Sequence, residues 1–375
     1  MKNKNTTFNP VFGASGILNF HGEGYPYHTL LFWGLLFTPL WVPLFRILRQ
    51  STLIQNWLKK RTDIFFWKTL YELVMVSFEI PILPVVFSHK GMVLITKTIV
   101  LTWRDGNMEL QDDGVTPREF NPKCIHVDMI RKSGLNNVAL SCIGLVPLLN
   151  KKGLQNIEGN FIISIMPVGK APIDRINEII AIRAILEKNL PEFVGNPILQ
   201  INISCPNTGD ELDAYLEEVF YWIKELRKLG IPITIKGNFL TPIDAMIKII
   251  NVTDGAFISN TVPFDSLTSE EKIKYFGSDI SPLEKFQPYF NVPGKGGVSG
   301  AYLFPKVERY FRELRRQKVT KPLIFGGGIL DTDDVYAARA AGADGISPGS
   351  ITMIAPWNLR KVIKCGNRIF PKVTF

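Results

Sequence analysis

The run ILQINIS at 198–204 is followed by CPNTG at 205–209 and then by DELDAYLEEVFYWIKELRKLG at 210–230. The first is short, β-branched and almost wholly apolar, the composition of a strand buried on both faces. The last carries apolar residues at helical spacing and ends at Gly230 ahead of Pro232, a C-terminal stop signal. The unit is therefore strand, polar turn, helix, with a thiol just past the strand end.

Working outward, the same rhythm repeats. Strand-like runs occur at MVLITKT (92–98), FIISIMP (161–167), PITIKG (232–237), GAFISN (255–260), PLIFGGG (322–328) and DGISPG (344–349). Helical patterns such as IDRINEIIAIRAILEKNL (173–190) lie between them, and NPVFGASG (9–16) brings the strands to eight. Eight alternating units predict an α/β chain folded as a (β/α)8 TIM barrel rather than a doubly wound sheet. Residues 1–28 and 90–375 would form the barrel.

Residues 29–89 break the rhythm and predict a largely helical apolar insertion after the first strand. Thr29 to Phe45 is uncharged over seventeen residues, but Pro39 and Pro43 argue against a clean transmembrane helix. Leu53, Trp57, Ile64 and Trp67 then alternate with Lys59, Lys60 and Arg61, a pattern suited to a membrane interface or to packing against protein. Both readings stand at this point.

Composition narrows the classes of function. The formal net charge is +9, yet no run of five basic residues occurs, so nucleic acid is not the expected partner. The four cysteines form no CxxC pair and no metal-ligand spacing with the four histidines, so no metal site is expected. No apolar stretch follows the basic residues of MKNKNTTFNPVFG, which predicts a cytoplasmic protein with free thiols.

Barrel enzymes work at the carboxyl ends of their strands, so those positions are the candidates. Cys205 sits there, flanked by Asn202 and Asn207, and a lowered pKa would make its thiolate a general base. Its bland alternative is a small buried apolar residue. Lys97 and Lys236 also end strands, where an ammonium can neutralise an anion. Asn136, Asn260 and Thr261 extend the polar set, and converging amides suit a flat ligand with amide edges. The last two strands end in GGGI (326–329) and PGSITM (348–353), the usual place for a phosphate in this fold. Asp331 to Asp333 would cap the helix that follows.

The strings NISCPNTG, ITKT, TIKG, ISNT, KGGVSG, GGGI and PGS stand in an order that resembles the dihydroorotate dehydrogenases. NPVFGASG looks like that family's first strand, and the likeness covers about residues 8–28 and 90–355. The resemblance implies an FMN-binding TIM barrel that oxidises dihydroorotate to orotate in pyrimidine biosynthesis. By position, Cys205 would take the C5 proton while hydride leaves C6 for the flavin. Lys97 would bind the substrate carboxylate beside the flavin, with Asn136, Asn202, Asn207, Asn260 and Thr261 holding the pyrimidine ring. Lys236 and Asn202 would contact the isoalloxazine, as would Ala14, Ser15 and Gly16. Gly297, Gly327, Gly328, Gly349 and Ser350 would cradle the phosphate and ribityl chain.

A cysteine base resembles the class 1 enzymes, which implies fumarate as acceptor, or NAD through an iron–sulfur partner, and a homodimer. The apolar insertion is foreign to that pattern and suggests quinone delivered at a peripheral membrane contact. Ala139 and Cys142 stand where glycine and asparagine are common, and Pro348 where an apolar residue is usual. Two alternatives stay open: a pyrimidine-base reductase of the dihydropyrimidine dehydrogenase type, and a non-catalytic, membrane-associated barrel.

Overall fold

The computed structural model describes residues 6–15, 89–119, 122–203 and 209–375. The body of the expected insertion, residues 29–88, lies outside them, as do Gly16, Cys205 and Asn207. In chain order the elements are β1 (Thr7–Phe8), β2 (Ile125–Asp128), β3 (Ser133–Asn136), α1 (Leu145–Asn150), β4 (Asn160–Ile165), α2 (Pro172–Asn189), β5 (Asn196–Asn202) and α3 (Gly209–Leu226). There follow β6 (Ile233–Gly237), α4 (Ile243–Asn251), β7 (Gly255–Ile258), β8 (Val262–Pro263), α5 (Ser269–Phe276), β9 (Gly297–Gly300) and α6 (Phe304–Arg316). The chain ends with β10 (Leu323–Gly326), α7 (Thr332–Ala340), β11 (Gly345–Ser347), α8 (Ile351–Ile354), α9 (Leu359–Ile369) and β12 (Val373–Thr374).

Six strands form one parallel sheet in the order β11-β10-β7-β6-β5-β4. Isolated parallel bridges close it into a ring: Ile95 with Ile162, Phe12 with Val93, and Val11 with Ile346. Hydrogen bonds carry the closure, with Val93 N donating to Val11 O and Phe12 N to Ile346 O, each at 2.8 Å. The eight-membered barrel read from the sequence is therefore present. Its first two strands are reduced to bridges, and Pro10 gives one reason: it accepts from Ile346 N but has no N–H to return.

Alternation along the strands sorts the residues. Phe161, Ile163 and Ile165 face the helices, as do Leu199, Ile201, Ile233 and Ile235. Phe12, Val93, Ile95, Ile162, Ile198, Phe257 and Ile324 form a separate cluster inside the barrel, joined by Phe8, Val373 and Phe375. The antiparallel pair β1 and β12 seals this end, and the Phe12 and Phe257 rings meet edge-on at 5.2 Å. On the outside, α6 buries Val307, Tyr310, Phe311 and Leu314, the i, i+3, i+4, i+7 stripe of an amphipathic helix. Gly230 ends the α3 segment in the left-handed region, φ 68°, as its sequence position predicts.

One element was absent from the sequence reading. A four-stranded antiparallel sheet, β2-β3-β9-β8, is assembled from two excursions that leave the barrel after its second and sixth strands. Its residues line the carboxyl-end mouth, as described next.

Candidate active site

Above the apolar cluster the same inward columns turn polar. Two residues on from Ile162 comes Ser164; Ile198 is followed by Gln200 and then Asn202; Thr234 leads to Lys236. Two-residue periodicity keeps each on the inner face. The columns open into a cavity of about 420 Å³. Its wall holds Ala14, Ser15, Lys97, Asn136, Asn202, Lys236, Asn260, Thr261, Gly327, Gly349 and Ser350, eleven of the residues singled out from the sequence.

Two predicted residues stand behind that wall. Gly297 pairs with Asn136 across β3 and β9, and a side chain there would collide with Thr261. Gly328 makes room for Gly300 O and Phe304 at the start of α6, so its close approach is to protein. Gly327, at φ 99°, does reach the cavity, and a Cβ on Gly349 would lie 2.8 Å from Ala14. The loops after the last and first strands thus touch at the mouth.

An amide ladder crosses the floor. Asn260 Nδ2 donates to Asn202 Oδ1 at 2.6 Å and also approaches Ile203 O at 3.2 Å. Asn202 Nδ2 donates to Thr98 Oγ1 at 3.4 Å, and the Thr98 and Ser164 hydroxyls lie 3.1 Å apart. Asn136 Nδ2 reaches Gly297 O at 3.4 Å from the antiparallel sheet. Ile203 is the last described residue before Cys205, so the candidate thiol follows directly from this ladder in the chain.

The two lysines differ. Lys97 Nζ donates to Ser141 O at 2.5 Å, and burial holds its pKa below the ordinary value against the opposing pull of Cys142 and Cys124. Burial pushes Lys236 from 10.5 to about 8. Among the described residues no acceptor bonds the Lys236 ammonium, so a charge facing the cavity is left for a ligand. Ser347 Oγ, also on the cavity wall, and Gln200 Nε2 are buried polar atoms without partners among the described residues. Ser15 Oγ donates to Gln200 Oε1 at 3.3 Å.

Strain is concentrated in the loop beside Lys97. Ala139 and Leu140 adopt φ of 54° and 58°, left-handed conformations that cost an L-residue roughly 1–2 kcal/mol each. Arg104 Nε donates to Ala139 O at 2.9 Å and Ser141 Oγ to Val138 O at 3.1 Å, holding the loop in place. A glycine at position 139 would adopt this φ without strain. Val138, Ala139 and Leu140 line the cavity, as does His126, whose pKa burial lowers.

Sequence reasoning missed Thr98, Ser164, Gln200, Ser347 and His126. Gln200 and Ser347 carried a signal: each is a polar residue two positions before an expected strand-end group, Asn202 and Gly349. Cys124, Cys142 and Cys365 are buried free thiols, and burial pushes Cys124 up to about 12. Among the described residues no cluster of three metal-ligating side chains occurs, and no helix is long and apolar enough to cross a membrane.

No family model matches the sequence. Two curated proteins, each named dihydroorotate dehydrogenase B (NAD(+)), catalytic subunit, are similar to it. The one from Endomicrobium trichonymphae is 25% identical over 284 residues, 72% of this chain and 77% of that protein. The one from Halalkalibacterium halodurans is 25% identical over 276 residues, 72% and 78% of the two chains. Among solved structures, DHODH from Eimeria tenella in complex with ferulenol overlays with TM-score 0.49 at 17% identity, covering 74% of this chain and 75% of that one.

Proposed function

Because the chain belongs to the dihydroorotate dehydrogenase family, we propose that it binds FMN and oxidises dihydroorotate to orotate, with Cys205 as the base. The observation that carries this reading is Lys236: a cation pushed down to about 8 by burial, facing the cavity without an acceptor among the described residues. A buried unpaired charge is costly unless a ligand completes it. An anionic ring edge would do so. The Ser347 hydroxyl, without a partner among the described residues, and the side-chain-free backbone at Gly327 and Gly349 fit the same flat, phosphorylated group.

FMN, when bound, supplies the hydride acceptor. The remaining work belongs to the chain. Asn202 and Asn260 already share one hydrogen bond, which fixes both amide planes before a pyrimidine ring arrives. Asn136 would close on the ring from the antiparallel sheet, with Asn207 and Thr261 completing the contacts. Lys97 would exchange its bond to Ser141 O for the substrate carboxylate. Cys205, as thiolate, would take the C5 proton as hydride leaves C6, and pass that proton to solvent afterwards. Fumarate or a quinone would then remove the electrons.

Purified protein should carry a flavin spectrum that bleaches on anaerobic addition of dihydroorotate. Bleaching by dihydrouracil and not dihydroorotate would select the pyrimidine-base reductase instead. Loss of all flavin from folded protein would select the non-catalytic barrel. Reoxidation by fumarate, quinone and NAD in turn ranks the acceptors.

A further inference from the structure

From Gly345 to Phe375 the chain has no acidic residue but five cations: Arg360, Lys361, Lys364, Arg368 and Lys372. Helix α9 sorts them. Leu359, Val362, Ile363 and Gly366 are buried at i, i+3, i+4, i+7 against the barrel. Lys361, Lys364 and Arg368 are exposed at spacings of three and four, which puts them on the opposite face, and Trp357 is exposed in the turn that leads into the helix. Among the described residues no carboxylate pairs with Lys361 or Lys364. Arg368 donates to the Tyr336 hydroxyl at 2.7 Å, setting a second exposed ring, from α7, beside the stripe. Of the acids that begin α7, Asp331 and Asp334 are engaged by backbone N–H groups as its cap.

This face also marks a place in the chain. Asn367 Nδ2 donates to Gly91 O at 3.0 Å, so α9 packs beside residues 89–91, which follow residues 16–88 in the sequence. That stretch holds the seventeen uncharged residues from Thr29 to Phe45. An acid-free cationic stripe edged by Trp and Tyr, beside residues that follow an apolar segment in the sequence, has the chemistry of a membrane-facing surface. We propose that the exposed face of α9 docks on an anionic phospholipid bilayer, with Lys361, Lys364 and Arg368 at the headgroup phosphates and Trp357 and Tyr336 at the interface. The proposal does not rest on the reaction assigned to the cavity.

Co-sedimentation of the full chain with vesicles tests it. Phosphatidylcholine vesicles containing phosphatidylglycerol should retain the protein at low salt, and pure phosphatidylcholine vesicles far less. Lys361→Ala with Lys364→Ala should weaken the binding roughly 25-fold, about fivefold per cation, and raising the salt should release the wild type. Equal binding to both vesicle types, or binding unchanged in the double variant, would overturn the proposal and leave the apolar segment as the sole contact. No binding to the anionic vesicles at low salt would overturn it too, and an acidic protein would then be the partner to seek.

Discussion

The two halves of the barrel interior are built by the same strands and do opposite things. At the closed end Phe12, Ile95, Ile162, Ile198, Phe257 and Ile324 pack into a dry layer sealed by Phe8 and Phe375. One step on from Ile162 and Ile198 come Ser164 and Gln200, and beyond them Asn202, Lys236 and Ser347 bring an amide, a desolvated cation and a hydroxyl to the open end. One or two pleat repeats thus separate buried apolar residues from polar groups held against their solvation preference. The first half supplies stability, and the second uses some of it to keep Lys236 ready for an anion.

Substitutions in the two halves should therefore part stability from activity. The largest effect is expected at the proposed base: Cys205→Ala should slow dihydroorotate-dependent flavin reduction by about 10²–10⁴-fold with little change in melting temperature, read by stopped-flow absorbance. In the dry layer, Phe257→Ala should cost about 3–5 kcal/mol in denaturant unfolding while the folded fraction keeps its turnover. Equal turnover losses in both variants would erase the distinction.

Lys236→Met should move the two readouts in opposite directions. Flavin affinity falls at least tenfold, while the flavin-free protein gains roughly 1–3 kcal/mol by losing a buried unpaired charge. The sign with pH is set by the shift from 10.5 to about 8. Below pH 8 both folded and unfolded chains carry the proton, and the burial penalty is complete. Between pH 8 and 10.5 the folded protein releases its proton first, so the stability of the flavin-free protein rises across that window. Flavin binding, which favours the charged lysine, weakens over the same range. Chemical denaturation and flavin titration at pH 7, 8.5 and 10 would show both trends, and Lys236→Met would flatten them.

The smallest expected change is at the strained loop. Ala139→Gly should stabilise the protein by about 1 kcal/mol, since φ of 54° suits glycine better. A destabilised variant would mean that the alanine methyl packs well enough to outweigh the backbone strain.

Much of this was legible in the sequence because barrel strands are apolar on both faces and their helices carry a 3.6-residue stripe. The strand-end rule then brought Lys97, Asn202, Lys236 and Asn260 to one cavity. The antiparallel sheet was not legible: Ile125–Asp128 is partly exposed throughout and Val262–Pro263 spans two residues, too little for a periodic signal. Gly297, placed on the ligand by the resemblance, and Gly328, placed there for its close backbone approach, instead make room for Thr261, Gly300 and Phe304. Gln200 could have been found, since a glutamine two residues before Asn202 shares its face.

The most direct test of the account is an anaerobic titration of the purified, FMN-reconstituted protein with dihydroorotate, alongside Lys236→Met reconstituted to the same flavin content. The account predicts stoichiometric bleaching of the wild type and a markedly slower, incomplete reduction of the variant. Equal rates and extents in the two proteins would contradict the role given to the polar half of the barrel.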